Sequence, residues 1–581
     1  MRRSPGKRKS KKQQKETSSV DLKDKLAQKR QAREARRKLM GLIGFSLFFA
    51  IIVGVPLGFT ISPKIGAGVG LLIPSLVIGY NYPRKALWAF LIYMPFSGTV
   101  TYWVGGGNAL FQISKDAFYI PALFGLLQEC KRKRQPIIVS KKLLNTLMLI
   151  FICALLTLFL VNGFKQFLPA CDSLSEYEQL LRDANGELIF GQNGIVIKTP
   201  CKSAIPFAQG LLGLKVLLGY VPLIFCAYYL IQDKKKLLFL GRLLVVLAII
   251  CCLLGLIQYW MLKTGRCQGT DHLSADQLFK ATLEYKCLVG GSLVYSPSQG
   301  QIRLPGTFVS PWHWSWFLIA NSAICFSVAF SDTAFFWRNC GLVGMGLVFV
   351  NAVICGQRIA LAVVPVIIII LLVLTGKIAD FKRFIPIAVG LSAVLFILFS
   401  FLNPDFIQER VDSFVDRWNA SPPYLFIQDQ FKFALDNTQG ILGRGLGAGT
   451  NSTRIFGDVS LVETYHPKLL FEIGYLGLAA FMIFVTHLCF LTFQSYRSLK
   501  DKCLRDFASS FWVFLLIISY FPYWYPLDTD PVAVYYWFFA GVILRMPLID
   551  KEEQAKLKAA KEAEEASKKR VKTTKKMPSV A

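Results

Sequence analysis

Runs of about twenty apolar residues recur along this chain, and the charged residues gather in short loops between them and in the two tails. As a helix, such a run crosses about 30 Å of hydrocarbon with every backbone hydrogen bond made internally. So many of them in one chain predict an all-α polytopic membrane protein. The composition agrees, with 54% of the 581 residues hydrophobic and only 18% charged.

Fourteen candidate spans fall near 42–60, 65–81, 86–103, 117–129, 143–162, 207–231, 237–262, 311–330, 339–355, 358–376, 384–402, 468–492, 507–523 and 531–549. Lys and Arg in short loops mark the cytoplasmic side. Arg84-Lys85, Lys131 to Arg134 with Lys141-Lys142, Lys234 to Lys236, Lys377 with Lys382-Arg383, and Arg497 to Arg505 then share one side with both tails. The predicted organisation is a basic cytoplasmic tail (1–41), a transmembrane region (42–402) with outer loops at 163–206 and 263–310, a long outer loop (403–467), C-terminal spans (468–549) and a charged cytoplasmic tail (550–581). The first apolar run follows about 40 polar, basic residues, longer than the basic region of a signal peptide, and reads as a retained anchor.

The net charge of +30 does not signal nucleic-acid binding, because 26 of the 66 basic residues lie in the tails. The Lys-, Glu- and Ala-rich stretch 551–570 could extend the last span as a helix, and reads first as a solvated tail near anionic lipid. Fourteen Cys include no Cys-x-x-Cys and no His cluster of ligand spacing, so neither a metal nor a cofactor is expected. Four of them occupy outer loops, which predicts the pairs Cys171–Cys201 and Cys267–Cys287 in an oxidising exterior. In the 403–467 loop, Asn403-Pro404 opens a helix whose apolar face is Ile407, Val411, Phe414, Val415 and Trp418. A second follows Pro422-Pro423, with Ile427, Phe431, Ala434 and Leu435. Both are expected to lie along the membrane surface or to cap a cavity.

Outer-side cations near spans run against the charge bias and ask for a reason. Arg303 precedes the eighth span, Arg358 opens the tenth after Gly356-Gln357, and Arg444 sits in the turn Gly443 to Gly449. A guanidinium in such a place is costly unless it meets an anion, and its planar fork suits a phosphate. The glycine-rich turn follows no strand and lacks a P-loop Lys, but its N–H groups can face an anion. Glu463-Thr464-Tyr465-His466-Pro467-Lys468 leads into the twelfth span. Pro467 belongs in a first helical turn, so His466 sits at a helix N-terminus, neutral and able to accept a proton. If the turn extends back to Glu463, that carboxylate shares its face; Lys468 pairs with Glu472 one turn on. His272 and His487 read as structural.

Arg303-x-x-Gly306-Thr307-Phe308 with Ser310-Pro311, Gly356-Gln357-Arg358, Arg417-Trp418, the Gly443 to Gly449 turn and Glu472-x-Gly474-x-x-Gly477, in this order over 303–477, resemble the bacterial O-antigen ligase and polymerase superfamily. The resemblance implies an inverting, metal-independent glycosyl transfer in a cavity open to the periplasm of the inner membrane. The donor would be a polyprenyl-diphosphate-linked oligosaccharide and the acceptor a glycan, lipid or protein. Arg303, Arg358 and Arg444 would hold the diphosphate while a base takes the acceptor's proton. Where the family commonly places His-Asn, eleven residues before Gly474, this chain has Glu463. The base is therefore Glu463, or His466 one turn later, or neither. Two other classes fit the topology: a non-catalytic transporter of an anion or polysaccharide, which would want broken or charged helices near the bilayer midplane, and a scaffold acting through its basic tails.

Overall fold

A computed structural model of the chain describes residues 6–60, 62–106, 111, 114–169, 178–180, 198–200, 205–270, 286–291, 294–296, 301–377, 408, 412, 415, 418–419, 422–521, 523 and 526–575. It divides into two compact units, one of residues 1–90 and 109–129 and the other of 91–108 and 130–581.

In the first unit α1 (Gly6–Thr60) and α2 (Pro63–Asn81) form a helical hairpin. Glycines let the two backbones touch: a Cβ on Gly66 would stand 2.4 Å from the Gly54 carbonyl oxygen and 2.5 Å from Gly58 Cα. Without a hydrophobic force between helices in lipid, such close approach is what holds them together. The unit also takes in most of α3 (Pro83–Tyr93) and α4 (Asp116–Arg132), linked by Arg84, whose Nη1 lies 2.9 and 2.8 Å from the two oxygens of Glu129. The span expected at 86–103 is not one straight helix. After Tyr93 it tightens into a 3₁₀ turn at Met94–Phe96, where Pro95 lacks an N–H, and then widens into a π turn at Val100–Val104.

The second unit is an up-and-down bundle. Its helices are α5 (Lys141–Leu156, continuing as a π turn to Gly163), α6 (Pro206–Leu218), α7 (Leu223–Leu230), α8 (Lys234–Lys263), α9 (Pro311–Ser331), α10 (Phe335–Ile354) and α11 (Arg358–Leu374). They are followed by α12 (Pro423–Asn437), α13 (Tyr465–Arg497), α14 (Lys502–Tyr520) and α15 (Val532–Lys575). Two short antiparallel ladders, which the sequence reading did not anticipate, lie in loops: β1 (Glu178–Leu180) pairs with β2 (Lys198–Pro200), and β3 (Val294–Ser296) with β4 (Gln301–Arg303), Val294 opposite Arg303.

α9 is the central, most fully buried helix although it carries several polar residues. The donors of Ser315, Asn321, Ser322 and Ser327 are used on the helix itself, each bonding a carbonyl one turn back. Gly341 and Gly344 of α10 press on it at Ala329 and Cys325.

The protein is a mostly helical, multi-pass membrane protein. Among the described residues nine helices are long and apolar enough to cross a membrane, and Gly68–Asn81 and Arg358–Leu374 are shorter apolar helices. The candidate span 384–402, most of the first amphipathic helix and both Cys171 and Cys201 lie outside the described residues. Cys267 and Cys287 are disulfide-bonded, with Cα atoms 5.6 Å apart, and ten described cysteines are free. α12 is the expected second amphipathic helix, and Ala434 packs it against α13 with Leu470 and Phe471. The 551–570 stretch takes the alternative of extending the last span as a helix. Its Ala, Lys and Glu are strong helix formers, the helix runs to Lys575, and the side chains of 551–566 are largely in solvent.

Of the loops that the sequence groups as basic, those at Lys234 to Lys236, Lys377 and Arg497 to Arg505 meet at one end of the bundle. There the cations are paired rather than simply solvated. Lys234 Nζ lies 2.6 Å from Asp501 Oδ2, Arg242 clamps Asp332 through two bonds of 2.8 Å, and Asp550 accepts the N–H groups of Lys500 and Asp501. The buried ammonium of Lys377 donates to Asp506 Oδ2 (2.8 Å), the Phe330 carbonyl (2.8 Å) and Ser331 Oγ (3.2 Å), which uses all three of its protons. Breaking one side of a buried pair strands the other charge, at a cost of about 3–5 kcal/mol. Lys377→Met and Asp506→Leu should therefore each lower the melting midpoint in detergent sharply, and the double variant should recover most of it. A double variant as unstable as the sum of the singles would show that the pair is not what holds this corner.

Candidate active site

At the other end of the bundle the chain enters α9, α11 and α13 through three segments that converge. The first is the loop before α9. Cys287, tied to Cys267, presents its carbonyl to Gln258 Nε2 of α8 at 2.9 Å, and Gln258 Oε1 accepts the Gly306 N–H at 3.1 Å. Gly306 has φ +57 and lies against the Trp314 ring, where a Cβ would stand 2.3 Å from a ring carbon. Ile302 and Leu304 are buried with Tyr259, Leu262, Cys287 and Ile354. Side chains alternate across extended chain, so Arg303 leaves by the opposite face.

The second segment is the α10–α11 corner. Gly356 reverses the chain at φ +68, and Gln357, in extended conformation, starts α11 at Arg358. Leu304 N–H donates to the Cys355 carbonyl at 3.2 Å, and a Cβ on Gly356 would lie 1.6 Å from the Ile302 carbonyl oxygen. Only glycine permits this approach, and it brings Arg358 beside Arg303.

The third is the entry to α13. Val462 and Thr464 are buried and Glu463 between them faces the other way, its N–H held by Gln430 Oε1 of α12 at 2.8 Å. Glu463 and Arg303 feel each other's charge. Burial pushes the Glu463 carboxyl above the usual carboxylate range, with Arg303 opposing. Arg303 is lowered by burial and by Arg358, with Glu463 and Tyr523 opposing. Tyr523, from the connection between α14 and α15, is raised by burial and senses all three charges. Sequence reasoning missed it: it is one aromatic in the run Tyr520-Phe521-Pro522-Tyr523-Trp524-Tyr525 at the end of the candidate span 507–523, with no motif spacing to its partners.

His466 and Glu463 do not share a face. Thr464 is extended (φ −121, ψ 140) and the helix starts at Tyr465, with Pro467 in the first turn as its missing N–H requires. His466 is buried and its Nε2 lies 3.2 Å from the Ser519 carbonyl of α14, so that nitrogen carries the proton and donates it. The expected Lys468–Glu472 pair forms at 3.6 Å, and Lys468 also bonds Asp528.

The Gly443 to Gly449 turn does not offer its N–H groups to an outside anion. It fills a break in α13 at Gly474 (φ 67, ψ −168), a conformation essentially confined to glycine. Arg444 and Gly445 N–H donate to the carbonyls of Phe471 (2.8 Å) and Glu472 (2.9 Å), and Gly449 N–H and Thr450 Oγ1 to Glu472 Oε1 (2.8 Å each). Arg444 Nε bonds the Asn437 carbonyl at 2.5 Å and its guanidinium lies over the Phe471 ring. The charges that act on Arg303 are Arg358, Glu463 and Tyr523; Arg444 acts instead on Lys165, which burial and that neighbour push down to about 8. His487 is structural, its Nδ1 3.1 Å from Thr146 Oγ1, and His272 lies outside the described residues.

The structure thus joins Arg303, Arg358, Glu463 and Tyr523 and sets Arg444 and His466 on separate tasks. Two buried polar atoms flank the cluster without a hydrogen-bond partner among the described residues, Gln357 Nε2 beside Arg358 and Thr464 Oγ1 beside Glu463. Buried polar groups are rarely left so, and each calls for an explanation. Among the described residues no group of three His, Cys, Asp or Glu converges to hold a metal ion. The chain matches no protein-family model and no curated protein.

If the corner glycine places the arginines, Gly356→Ala must displace β4. Gly440, with φ +62 and nothing within 4 Å of an added Cβ, supplies the control. Gly440→Ala should cost only the conformational strain of about 1–2 kcal/mol, and Gly356→Ala clearly more, read as melting midpoints. Equal losses would mean that Ile302 does not bear on the corner.

Proposed function

We propose that this protein is a glycosyltransferase of the bacterial inner membrane, of the O-antigen ligase or polymerase type. It has fourteen spans, with both termini cytoplasmic and the Arg303 end of the bundle facing the periplasm. The observation that carries the proposal is that Arg303, largely buried, lies close enough to both Arg358 and the Glu463 carboxylate to feel their charges. Two guanidinium forks close together suit a diphosphate at a membrane surface, whose oxygens can be bonded in pairs. The donor is a polyprenyl-diphosphate-linked oligosaccharide, the source of an activated sugar where nucleotide sugars are absent.

In the proposed reaction the acceptor hydroxyl oxygen attacks the anomeric carbon, forming the new C–O bond as the bond to the diphosphate oxygen breaks. The two guanidinium groups take up the charge that develops on the leaving diphosphate. Glu463 removes the hydroxyl proton, and displacement from one face inverts the anomeric configuration. His466 is the weaker candidate for the base, because it is buried against α14 and does not share a helical face with Glu463.

One observation favours the transporter reading, the break in α13 at Gly474. Its freed carbonyls accept from Arg444 and Gly445 rather than from a transported ion, which leaves that reading second.

Arg303→Lys and Arg358→Lys keep a charge and lose the fork, so both should transfer glycan poorly in purified, membrane-inserted form. Glu463→Gln should fall by about 100- to 10,000-fold, the usual worth of a general base, and His466→Ala by much less. A base works only when ionised, so wild-type rate should rise with pH through the elevated Glu463 pKa, a limb that Glu463→Gln lacks. Near-normal transfer by the double variant Glu463→Gln, His466→Ala would remove this acid–base assignment.

A further inference from the structure

The last candidate span, 531–549, carries a cation, Arg545, one turn inside its end. Its side chain is only 18% exposed. A Cβ on Gly541, one turn earlier, would stand 2.2 Å from the Ile224 carbonyl oxygen, so α15 presses on α7 there and lays the Arg545 guanidinium over the Tyr228 ring, 5.2 Å from its centroid. The guanidinium gains little else from the chain. Among the described residues its Nε is buried without a hydrogen-bond partner, and its ion pair is a long one, Nη2 3.9 Å from the exposed carboxylate of Glu552. An arginine inside a span marks a functional site by default, and its fork suits an oxyanion.

A second observation points to the same corner. Tyr229, whose ring lies 5.1 Å from that of Tyr228, donates its hydroxyl to the Pro136 carbonyl, which fastens the basic turn Lys131 to Arg134 against the end of α7. That turn closes α4 with two bonds, from Gln135 N–H to the Cys130 carbonyl (2.9 Å) and from Arg134 N–H to the Lys131 carbonyl (3.2 Å). A helix end of this kind needs one left-handed residue, usually glycine. Here that residue is Arg134, at φ 53. Lys131 and Arg132 are accounted for by the carbonyl end of the helix that they complete. Arg134 is not, since glycine would close the turn without strain; what the arginine adds is an exposed cation. Ile137 and Ile138, just beyond, are exposed too, apolar side chains that the surface of a bilayer would cover.

We propose that this corner binds an anionic phospholipid, its phosphate held between Arg545 and Arg134 beside the tyrosine pair. A lipid fits better than a soluble anion because exposed apolar side chains flank both cations, Ile137 and Ile138 after Arg134 and Leu548 after Arg545. Tyr229 stands five residues before Lys234, so the site belongs to the basic end of the bundle, away from Arg303. It does not depend on the glycosyl-transfer reading.

The test uses the purified full-length protein in detergent with equal phosphatidylglycerol and phosphatidylcholine, bound lipid being counted by native mass spectrometry. Wild type should retain phosphatidylglycerol in preference, and Arg545→Gln should weaken that retention by about tenfold, the worth of a hydrogen bond to a charged group. Arg134→Gly separates binding from folding, because it relaxes the backbone and removes the cation: the melting midpoint should rise while phosphatidylglycerol retention falls. Lys500→Gln, which removes an exposed cation elsewhere at the same end, should retain the lipid as wild type does. Wild-type retention in Arg545→Gln or in Arg134→Gly overturns the site. An equal loss in all three variants overturns it as well, since general positive charge, and not this corner, would then hold the lipid.

Discussion

Two guanidinium groups held side by side at the end of an apolar bundle are the arrangement on which the rest of this end of the protein depends. Their mutual repulsion and their burial both oppose it, since Arg303 is lowered by each. The structure must therefore hold them in place by other means. It does so with backbone contacts: the Cys267–Cys287 bridge leads to Gln258, Gln258 fixes Gly306, and β4 rests on the corner at Gly356. None of these residues has to touch a substrate to matter, because each limits where Arg303 can go relative to Arg358.

The same economy of polar groups governs the break in α13. A helix interrupted within an apolar bundle exposes carbonyls that cost several kcal/mol each if left unmet. The glycine turn supplies the missing donors, and Glu472 is in turn held by Gly449, Thr450 and Lys468. Lys468 then reaches Asp528, so the break, the turn and the Tyr523 connection are one continuous polar network. A motif that looks like an anion cradle in one dimension is here a plug for the chain's own helix.

The helices were legible because each crossing must carry its own apolar run, and Pro467 and the cysteines of the 263–310 loop carry local meanings that survive without a structure. Cys267–Cys287 forms as the redox argument expects. What could not be read was which distant segments meet. Arg303 and Arg358 were singled out one by one, but their adjacency depends on Ile302 resting on Gly356. The placement of His466 turned on where α13 starts: with Thr464 extended, one residue decides whether Glu463 is its neighbour. Tyr523 was missed because nothing in the aromatic run Tyr520 to Tyr525 singles out one ring until tertiary contacts place it.

The central claim is that Arg303 and Arg358 together hold a diphosphate, and the most direct measurement is a cryo-electron microscopy map of the protein in nanodiscs loaded with a polyprenyl diphosphate. The account predicts two phosphate-sized densities within hydrogen-bond reach of both guanidinium groups, with Glu463 facing the open side. Density bound instead at Arg444 and Lys165, with Arg303 and Arg358 unoccupied, would contradict it.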